Sequence, residues 1–410
     1  MRQLKIIATL VGGLLAVVVL VYLILLFINR HDQPPSQEAL RFAALYRDRP
    51  PVANVDNGFI DAMDFFTSEK PERSPAVQRL VDACRVVDHA CVVTLEGTDK
   101  AVDEWFASEQ RLFDRYRTLL SHSGWRQLKP FEVTARLPSY GTISQGQRLL
   151  LLRARTLAGR GDVTGVRDLL AEDARFWRMV LESSDLLIDK MIAVAALNRH
   201  FGVGNLVLRR LPAEKAMEAM PREWIQEITP AERSMTRALV GEWEFFNASL
   251  RKTKANEPLI YRPLFQPQDT SNKLASMLAR AAHDLNAPYA QYPQVLDRMG
   301  AESNHAPAEL GLFADLYNLI GAMMTNVPDA YNYARYGARV ADVEGVRRAA
   351  VLATTLRSRA VAAADVPAQL AASEIRMPYT NGPFAWDLKE NAIVFTGLEA
   401  GERGRHDFKY

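Results

Sequence analysis

The sequence predicts an all-α protein in which one transmembrane helix precedes an irregular, α-solenoid-like ectodomain of helical hairpins and a small C-terminal β-hairpin. Three patterns predict this class. A long uncharged apolar run stands near the start, apolar residues then recur at helical spacing, and residues alternate only after Pro378. No regular period of about 34 or 40 residues is present, so a true repeat array is not predicted.

Residues 6–28 form the apolar run, and 17 of these 23 residues are Leu, Ile, Val or Phe. At about 1.5 Å per residue the helix spans roughly 35 Å, which is enough to cross a bilayer. The alternative is a cleaved signal peptide, whose apolar core runs about 7–15 residues and ends at a small-residue site. This run is longer and ends in Phe27-Ile28-Asn29, so we predict an uncleaved signal-anchor.

The flanking charges predict the orientation of this anchor. Arg2 and Lys5 precede the helix, whereas Arg30 and Asp32 follow it and cancel. Since positive flanks stay in the cytoplasm, residues 29–410 are expected across the membrane. The division that we predict is 1–5 cytoplasmic, 6–28 anchor, 29–37 linker, 38–252 helical lobe, 253–268 connecting loop, 269–377 second helical lobe and 378–410 hairpin and tail.

Local signals predict the helix boundaries of the ectodomain. Ser36 is placed to cap the first helix, and the residues from Gly159 to Asp162 form a tight turn between two helices. Thr229-Pro230-Ala231-Glu232 is a capping box that opens a helix to about Lys252. Separate later helices are expected near 329–341 and 343–363. The hairpin strands are expected around Phe384–Trp386 and Ile393–Phe395.

Composition excludes several classes of protein. With 48% hydrophobic and 24% charged residues, the 410-residue chain has the amino-acid composition of an ordinary globular protein. Two cysteines exclude a disulfide-built scaffold. The 50 basic and 48 acidic residues leave no strong electrostatic field for nucleic acid.

Several segments together resemble an uncharacterised family of membrane-anchored, mostly helical envelope proteins of Gram-negative bacteria. The resemblance implies a bacterial inner-membrane location, with residues 29–410 in the periplasm, and it implies no activity. One departure is Asn318-Leu319-Ile320-Gly321, where the family pattern has Asn-Pro-x-Gly. The segments that carry the resemblance are Asn54–Phe59, the pair Cys84 and Cys91, Tyr116–Leu120, Phe176–Arg178, Phe265–Asn272 and Pro378–Trp386.

The two cysteines, Cys84 and Cys91, are seven residues apart. On one straight helix their Cα atoms would be about 10.5 Å apart, beyond the roughly 7 Å limit for a bridge. A disulfide therefore requires a turn between them, and an oxidising periplasm permits the bond. We predict the disulfide. Two separate buried thiols, or a metal site that includes His89, are the alternatives.

Glu242 is the weak catalytic candidate. Glu232, Met235, Leu239 and Glu242 have the spacing of one helix face, which places Glu242 on an apolar seam. A charge there needs a partner or a raised pKa. The functional interpretation is a general acid or base, and the favoured alternative is a structural Glu paired with an arginine.

Other polar residues are interpreted as structural. Glu182, Asp185 and Asp189 are expected on one solvated helix face, and His200 is expected to cap the end of an apolar helix. Phosphate-binding, nucleophile-elbow and zinc motifs are absent from the sequence. No cofactor or metal is therefore predicted.

The combined prediction is a single-pass inner-membrane protein whose periplasmic helical domain presents a groove to an envelope protein partner. Catalysis is left open and disfavoured. The alternatives are a cell-envelope hydrolase that uses Glu242 and an accessory subunit of a secretion or pilus assembly.

Overall fold

The structure, a computed structural model, describes residues 2–65, 73–84, 89–127, 136–304, 316–325, 330–399 and 401–410. The chain is 70% helix and 4% strand, so the mostly helical class is confirmed. The helices are α1 Arg2–Ile28, α2 Gln37–Arg47, α3 Gly58–Met63, α4 Pro75–Ala83, α5 His89–Thr94, α6 Asp99–Leu120, α7 Tyr140–Gly159, α8 Val163–Ser183, α9 Leu187–Leu208, α10 Ala213–Ala219, α11 Arg222–Ile225, α12 Pro230–Arg233, α13 Thr236–Asn256, α14 Pro267–Asp284, α15 Tyr292–Asn304, α16 Leu319–Thr325, α17 Ala330–Ser358 and α18 Val366–Ala372.

Two helices in the described residues are long and apolar enough to span a membrane, and they differ in burial. In α1, none of the apolar stretch is buried inside the protein. In α9, 67% of the stretch is buried, because the helix is surrounded by α7, α8, α13 and α17. The second helix is therefore the centre of the helical core.

Successive helices pack against each other from α6 to α9, and α17 returns to cover α9. α13 packs on α14, and both contact α2. Close approach requires glycine at some crossings. A Cβ at Gly146 would lie 2.7 Å from the Cβ of Tyr116, so α6 and α7 touch through this glycine.

Two of the predicted local signals are confirmed. Asp162 accepts a hydrogen bond from the backbone N–H of Gly165 at 2.9 Å, and Gly161 adopts a left-handed φ of 76° in the turn between α7 and α8. Ser36 caps α2 through the backbone N–H of Ala39.

Two helix boundaries differ from the prediction. The capping box of Thr229 and Glu232 is present, but its helix ends at Arg233 and α13 begins only at Thr236. Extended backbone at Ser234 separates them. The predicted pair near 329–341 and 343–363 is the single helix α17, because Asp342 accepts hydrogen bonds from the C-terminal segment instead of capping a new helix.

The C-terminal β element is an antiparallel sheet of three strands in the order β1-β2-β3. The predicted hairpin corresponds to β1 and β2, and β3 was not predicted. The sheet packs on α17, where a Cβ at Gly345 would collide with the Phe395 ring. The strands are β1 Ala385–Asp387, β2 Ala392–Thr396 and β3 Arg405–Lys409.

Candidate functional site

Cys84 and Cys91 are joined by a disulfide, with their Cα atoms 4.8 Å apart. α4 ends at Ala83 and α5 begins at His89, so the helix is interrupted between the two cysteines. Both sulfur-bearing residues are buried. The bridge therefore ties α4 to α5 inside the core; the side chain of His89 lies outside the described residues.

Glu242 lies on α13 against the start of α9. Its Oε1 accepts a hydrogen bond from the backbone N–H of Leu187 at 3.4 Å. Leu187 is the first residue of α9, whose N-cap residue Leu186 provides no side-chain cap. Burial raises the pKa of Glu242. The partner of Glu242 is thus a backbone N–H in the first turn of α9, which has no acceptor within its own helix, rather than the predicted arginine. The Glu242 carboxylate therefore caps α9 from α13.

The arginine partner belongs to Glu232 instead. Arg178 donates from Nε and Nη2 to the two carboxylate oxygens, at 2.6 and 2.9 Å. The remaining N–H groups of Arg178 donate to the carbonyls of Glu223, Gln226 and Glu227. These buried hydrogen bonds of the Arg178 guanidinium hold the segment from α11 to α12 against α8.

The solvated acidic face was predicted wrongly. Asp185 and Asp189 are each 1% exposed, and only Glu182 faces solvent. α8 ends at Ser183 and α9 begins at Leu187, and the turn between them directs Asp185 inward. Asp185 accepts from Arg237 Nε at 2.7 Å and pairs with Arg49 Nη1 at 2.6 Å.

Asp189 accepts hydrogen bonds from Trp125 Nε1 at 3.0 Å and from the Tyr140 hydroxyl. Burial raises its pKa to about 6, and the nearby charges of Asp185 and Glu242 add to the rise. α13 reaches this point closely, since a Cβ at Gly241 would lie 1.5 Å from the Asp185 carbonyl oxygen. We call Asp185, Asp189 and Glu242 the acidic node. Among the described residues, these three carboxylates have side chains and backbone N–H groups of the same chain as partners.

His200 lies within α9 and is fully buried, so the predicted C-terminal cap is wrong. Its Nδ1 is 2.7 Å from Asp173 Oδ2, and Trp224 Nε1 donates to its Nε2 at 2.6 Å. Because Nε2 accepts from an indole N–H, the ring is neutral with its proton on Nδ1. Asp173 also accepts from the Tyr116 hydroxyl at 2.6 Å. We call Tyr116, Asp173, His200 and Trp224 the central network.

A second polar region forms where the linker leaves α1. Asn29 is only 3% exposed, although it directly follows the apolar helix. Its Nδ2 donates to the Leu316 carbonyl at 2.8 Å, and its Oδ1 accepts from the Asn318 N–H at 2.6 Å. Gln266 Nε2 donates to the Asn29 carbonyl at 2.5 Å. The end of α1 is thus built into the helical domain.

Asp32 continues this attachment. Its carboxylate accepts from the backbone N–H groups of Gln268 and Asp269 at 2.9 and 3.0 Å, which are orphan donors of the first turn of α14. The predicted linker at 29–37 is therefore held by side-chain hydrogen bonds. We call Asn29, Asp32, Gln266, Asp269 and Asn318 the anchor junction.

Asn318 organises the anchor junction from a left-handed φ of 57°. Its Oδ1 accepts from the N–H groups of Gln266 and Gly321 at 2.8 and 3.1 Å, and its Nδ2 donates to Asp269 at 2.7 Å. Leu319 is the first residue of α16. Segments 265–272 and 318–321 therefore meet here.

Glu242 does not line either of two cavities found among the described residues. A groove of about 790 Å³ between α6 and α8 is lined by charged residues, among them Arg117, Glu172 and Arg175, and by apolar residues such as Phe176. A second cavity, of about 670 Å³, lies along the C-terminal end of α13. Among the described residues, no cluster of three His, Cys, Asp or Glu side chains is arranged to hold a metal ion.

Comparison of the chain with protein-family models, with curated proteins and with solved structures gave no match.

Proposed function

We propose that the chain is a single-pass protein of the bacterial inner membrane that presents a helical interaction domain in the periplasm. The observation that carries the proposal is the exposed apolar helix α1, whose end continues into the buried Asn29. An apolar surface of this length is not stable in water and matches a bilayer. A cleaved leader is disfavoured because the domain makes three hydrogen bonds with Asn29, through Leu316, Asn318 and Gln266.

The orientation and compartment have independent support. Arg2 and Lys5 precede α1, which favours a cytoplasmic N-terminus. The Cys84–Cys91 disulfide fits an oxidising compartment. The family resemblance of the sequence also favours the envelope of Gram-negative bacteria.

A binding role is favoured over catalysis by the use that the fold makes of its buried charges. Glu242 caps α9, Asp189 holds Trp125 and Tyr140, and both ring nitrogens of His200 are engaged. The groove between α6 and α8 is the surface that we assign to a protein partner, because its open lining combines apolar side chains with both signs of charge. The successive packing from α6 to α9 supports an α-solenoid-like description of this part.

Topology is tested by fusing alkaline phosphatase or a green fluorescent protein to Tyr410, together with carbonate extraction of the membranes. We expect active phosphatase, no fluorescence and retention in the membrane pellet. A fluorescent green fluorescent protein fusion together with an inactive phosphatase fusion would contradict the orientation. Release of the chain by carbonate would contradict the anchor.

The groove is tested with a photo-crosslinking residue in living cells. Thr118 lines the groove and is exposed, and Thr380 is an exposed threonine outside it. We expect a crosslinker at Thr118 to trap one envelope protein that the same crosslinker at Thr380 does not trap. Equal adducts from both positions would assign the contact to chance proximity.

A further inference from the structure

The turn between α13 and the short 3-10 helix at Arg262–Leu264 exposes three consecutive large apolar side chains. Leu259 is 79% exposed, Ile260 56% and Tyr261 52%. Such a run is costly in water unless it meets another apolar phase. The turn is not remote from α1, because the Tyr22 hydroxyl donates a hydrogen bond to the Ile260 carbonyl at 2.8 Å.

The position of Tyr22 gives the depth of this contact. Tyr22 lies six residues before Ile28, or about 9 Å along the helix axis. The apolar run is about 35 Å long, whereas the hydrocarbon core is about 30 Å thick. The tip of the turn is therefore about 4–6 Å inside the outer edge of the hydrocarbon core, close to the interface that tyrosine prefers.

The charges next to the turn complete an interfacial pattern. Arg251 and Lys252 are exposed near the end of α13 and line the cavity of about 670 Å³, which Pro258 also lines. Arg30 lies over the Phe27 ring at 4.7 Å on the neighbouring end of α1. Basic residues beside an apolar tip are the arrangement that binds anionic headgroups and acyl chains together.

We infer that the turn from Pro258 to Tyr261 is a wedge that inserts into the periplasmic leaflet of the membrane that α1 crosses, with Arg251 and Lys252 facing lipid phosphates. This inference rests on the proposed anchor. Together with the anchor junction, the wedge gives the domain two points of support on the membrane. Two supports restrict the tilt of the domain and therefore the direction in which the groove between α6 and α8 faces.

Three variants of the full chain, each with one added cysteine, test the wedge in phosphatidylcholine–phosphatidylglycerol vesicles. Leu259→Cys, Leu388→Cys and Leu15→Cys each carry an environment-sensitive fluorophore, and the native disulfide leaves the added thiol as the labelling site. Leu388 is the matched control, since it is 80% exposed but lies between β1 and β2. Leu15 lies within α1.

We expect spin-labelled lipid to quench the fluorophores at 259 and 15 several-fold more than the fluorophore at 388, and iodide to quench only that at 388. Iodide quenching at 259 as strong as at 388, with 15 still quenched by lipid, would overturn the wedge alone. Absence of lipid quenching at 15 would overturn the anchor as well. Shielding of 259 from both quenchers would assign the turn to a protein contact and overturn the wedge.

The headgroup contact has its own readout. With Arg251 and Lys252 present, phosphatidylglycerol should increase the lipid quenching of the fluorophore at 259. In the double variant Arg251→Glu/Lys252→Glu, this increase should disappear. If the increase persists in the double variant, these two residues do not face the phosphates.

Discussion

The central network and the anchor junction both bury polar side chains, but they connect different things. The central network joins α6, α8, α9 and α11 through rings and a carboxylate that are fully enclosed. The anchor junction joins segments as far apart as Asn29 and Asn318, mainly through amides. The difference indicates that the central network determines the stability of the fold, while the anchor junction determines how the domain is held relative to α1.

The largest effect is expected from Asp173→Ala. The substitution leaves the Tyr116 hydroxyl and His200 Nδ1 buried without their acceptor, and Gln147 Nε2 keeps only the Ala196 carbonyl. We expect the free energy of unfolding to fall by about 3–5 kcal/mol. The measurement is urea denaturation of the full chain in detergent, monitored by circular dichroism.

The control for this variant is Asp168→Ala, on the exposed face of the same helix. Its effect should lie within about 0.5 kcal/mol of zero. If Asp173→Ala were equally neutral, the central network would not be the stabilising region.

The disulfide should have the next largest effect. Reduction of Cys84–Cys91 removes the constraint of a short loop, and we expect a loss of about 2–3 kcal/mol of unfolding free energy. Denaturation with and without reductant measures it. Because the bridge lies in the same core cluster as the central network, an undiminished stability after complete reduction would contradict its structural role.

The third effect is a pH dependence from buried carboxyls. Burial raises the pKa of Asp342 from 3.8 to about 6. Between these values the folded state holds the proton more tightly than the unfolded chain does. This contribution to stability is complete below pH 3.8 and is lost as the pH rises to about 6, with a slope of up to about 1.4 kcal/mol per pH unit. Asp189 acts in the same direction.

Asp342→Asn tests this sign. An amide oxygen can still accept from the Tyr379 hydroxyl and the Leu398 N–H, but it does not ionise. We expect a shallower fall in stability from pH 4 to 6 and a variant more stable than the wild type at pH 7. Denaturation midpoints across this range measure the slope, and an unchanged slope would show that Asp342 is not responsible.

The smallest change in global stability is expected from Asn318→Ala. We expect a loss of about 1–2 kcal/mol from left-handed strain and lost hydrogen bonds, with much faster hydrogen exchange in residues 29–36. Exchange within α9 should stay unchanged. Mass spectrometry of deuterium uptake separates these two regions.

Asn381→Ala is the matched control, since Asn381 is exposed and also has a left-handed φ, of 55°. It should carry similar strain without releasing the linker. Equal exchange of residues 29–36 in both variants would contradict the role of the anchor junction.

Local chemistry could be predicted from the sequence, and distant pairing could not. Ser36, Asp162 and Thr229 were recognised as caps because their partners lie three residues away. The interpretations of His200 and Asp189 were wrong because Asp173 and Trp125 lie 27 and 64 residues away. The extended residue Ser234 separates Glu232 from Glu242, and helical spacing alone cannot detect such a break.

The same distinction applies to the candidate site and to the sheet. Asn29 and Asp32 carried no signal in the segment predicted to be a linker, since their partners lie more than 230 residues away. β3 escaped prediction because only Phe408 of its five residues is buried, which leaves no alternating apolar pattern.

The most direct test of the account is the intact mass of the full-length chain, extracted from membranes and treated with iodoacetamide without reductant. The mass should include residues 2–28 and no added alkyl groups, because α1 is retained and both cysteines are bonded. A mass that lacks the first 28 residues, or that carries two alkyl groups, would contradict it.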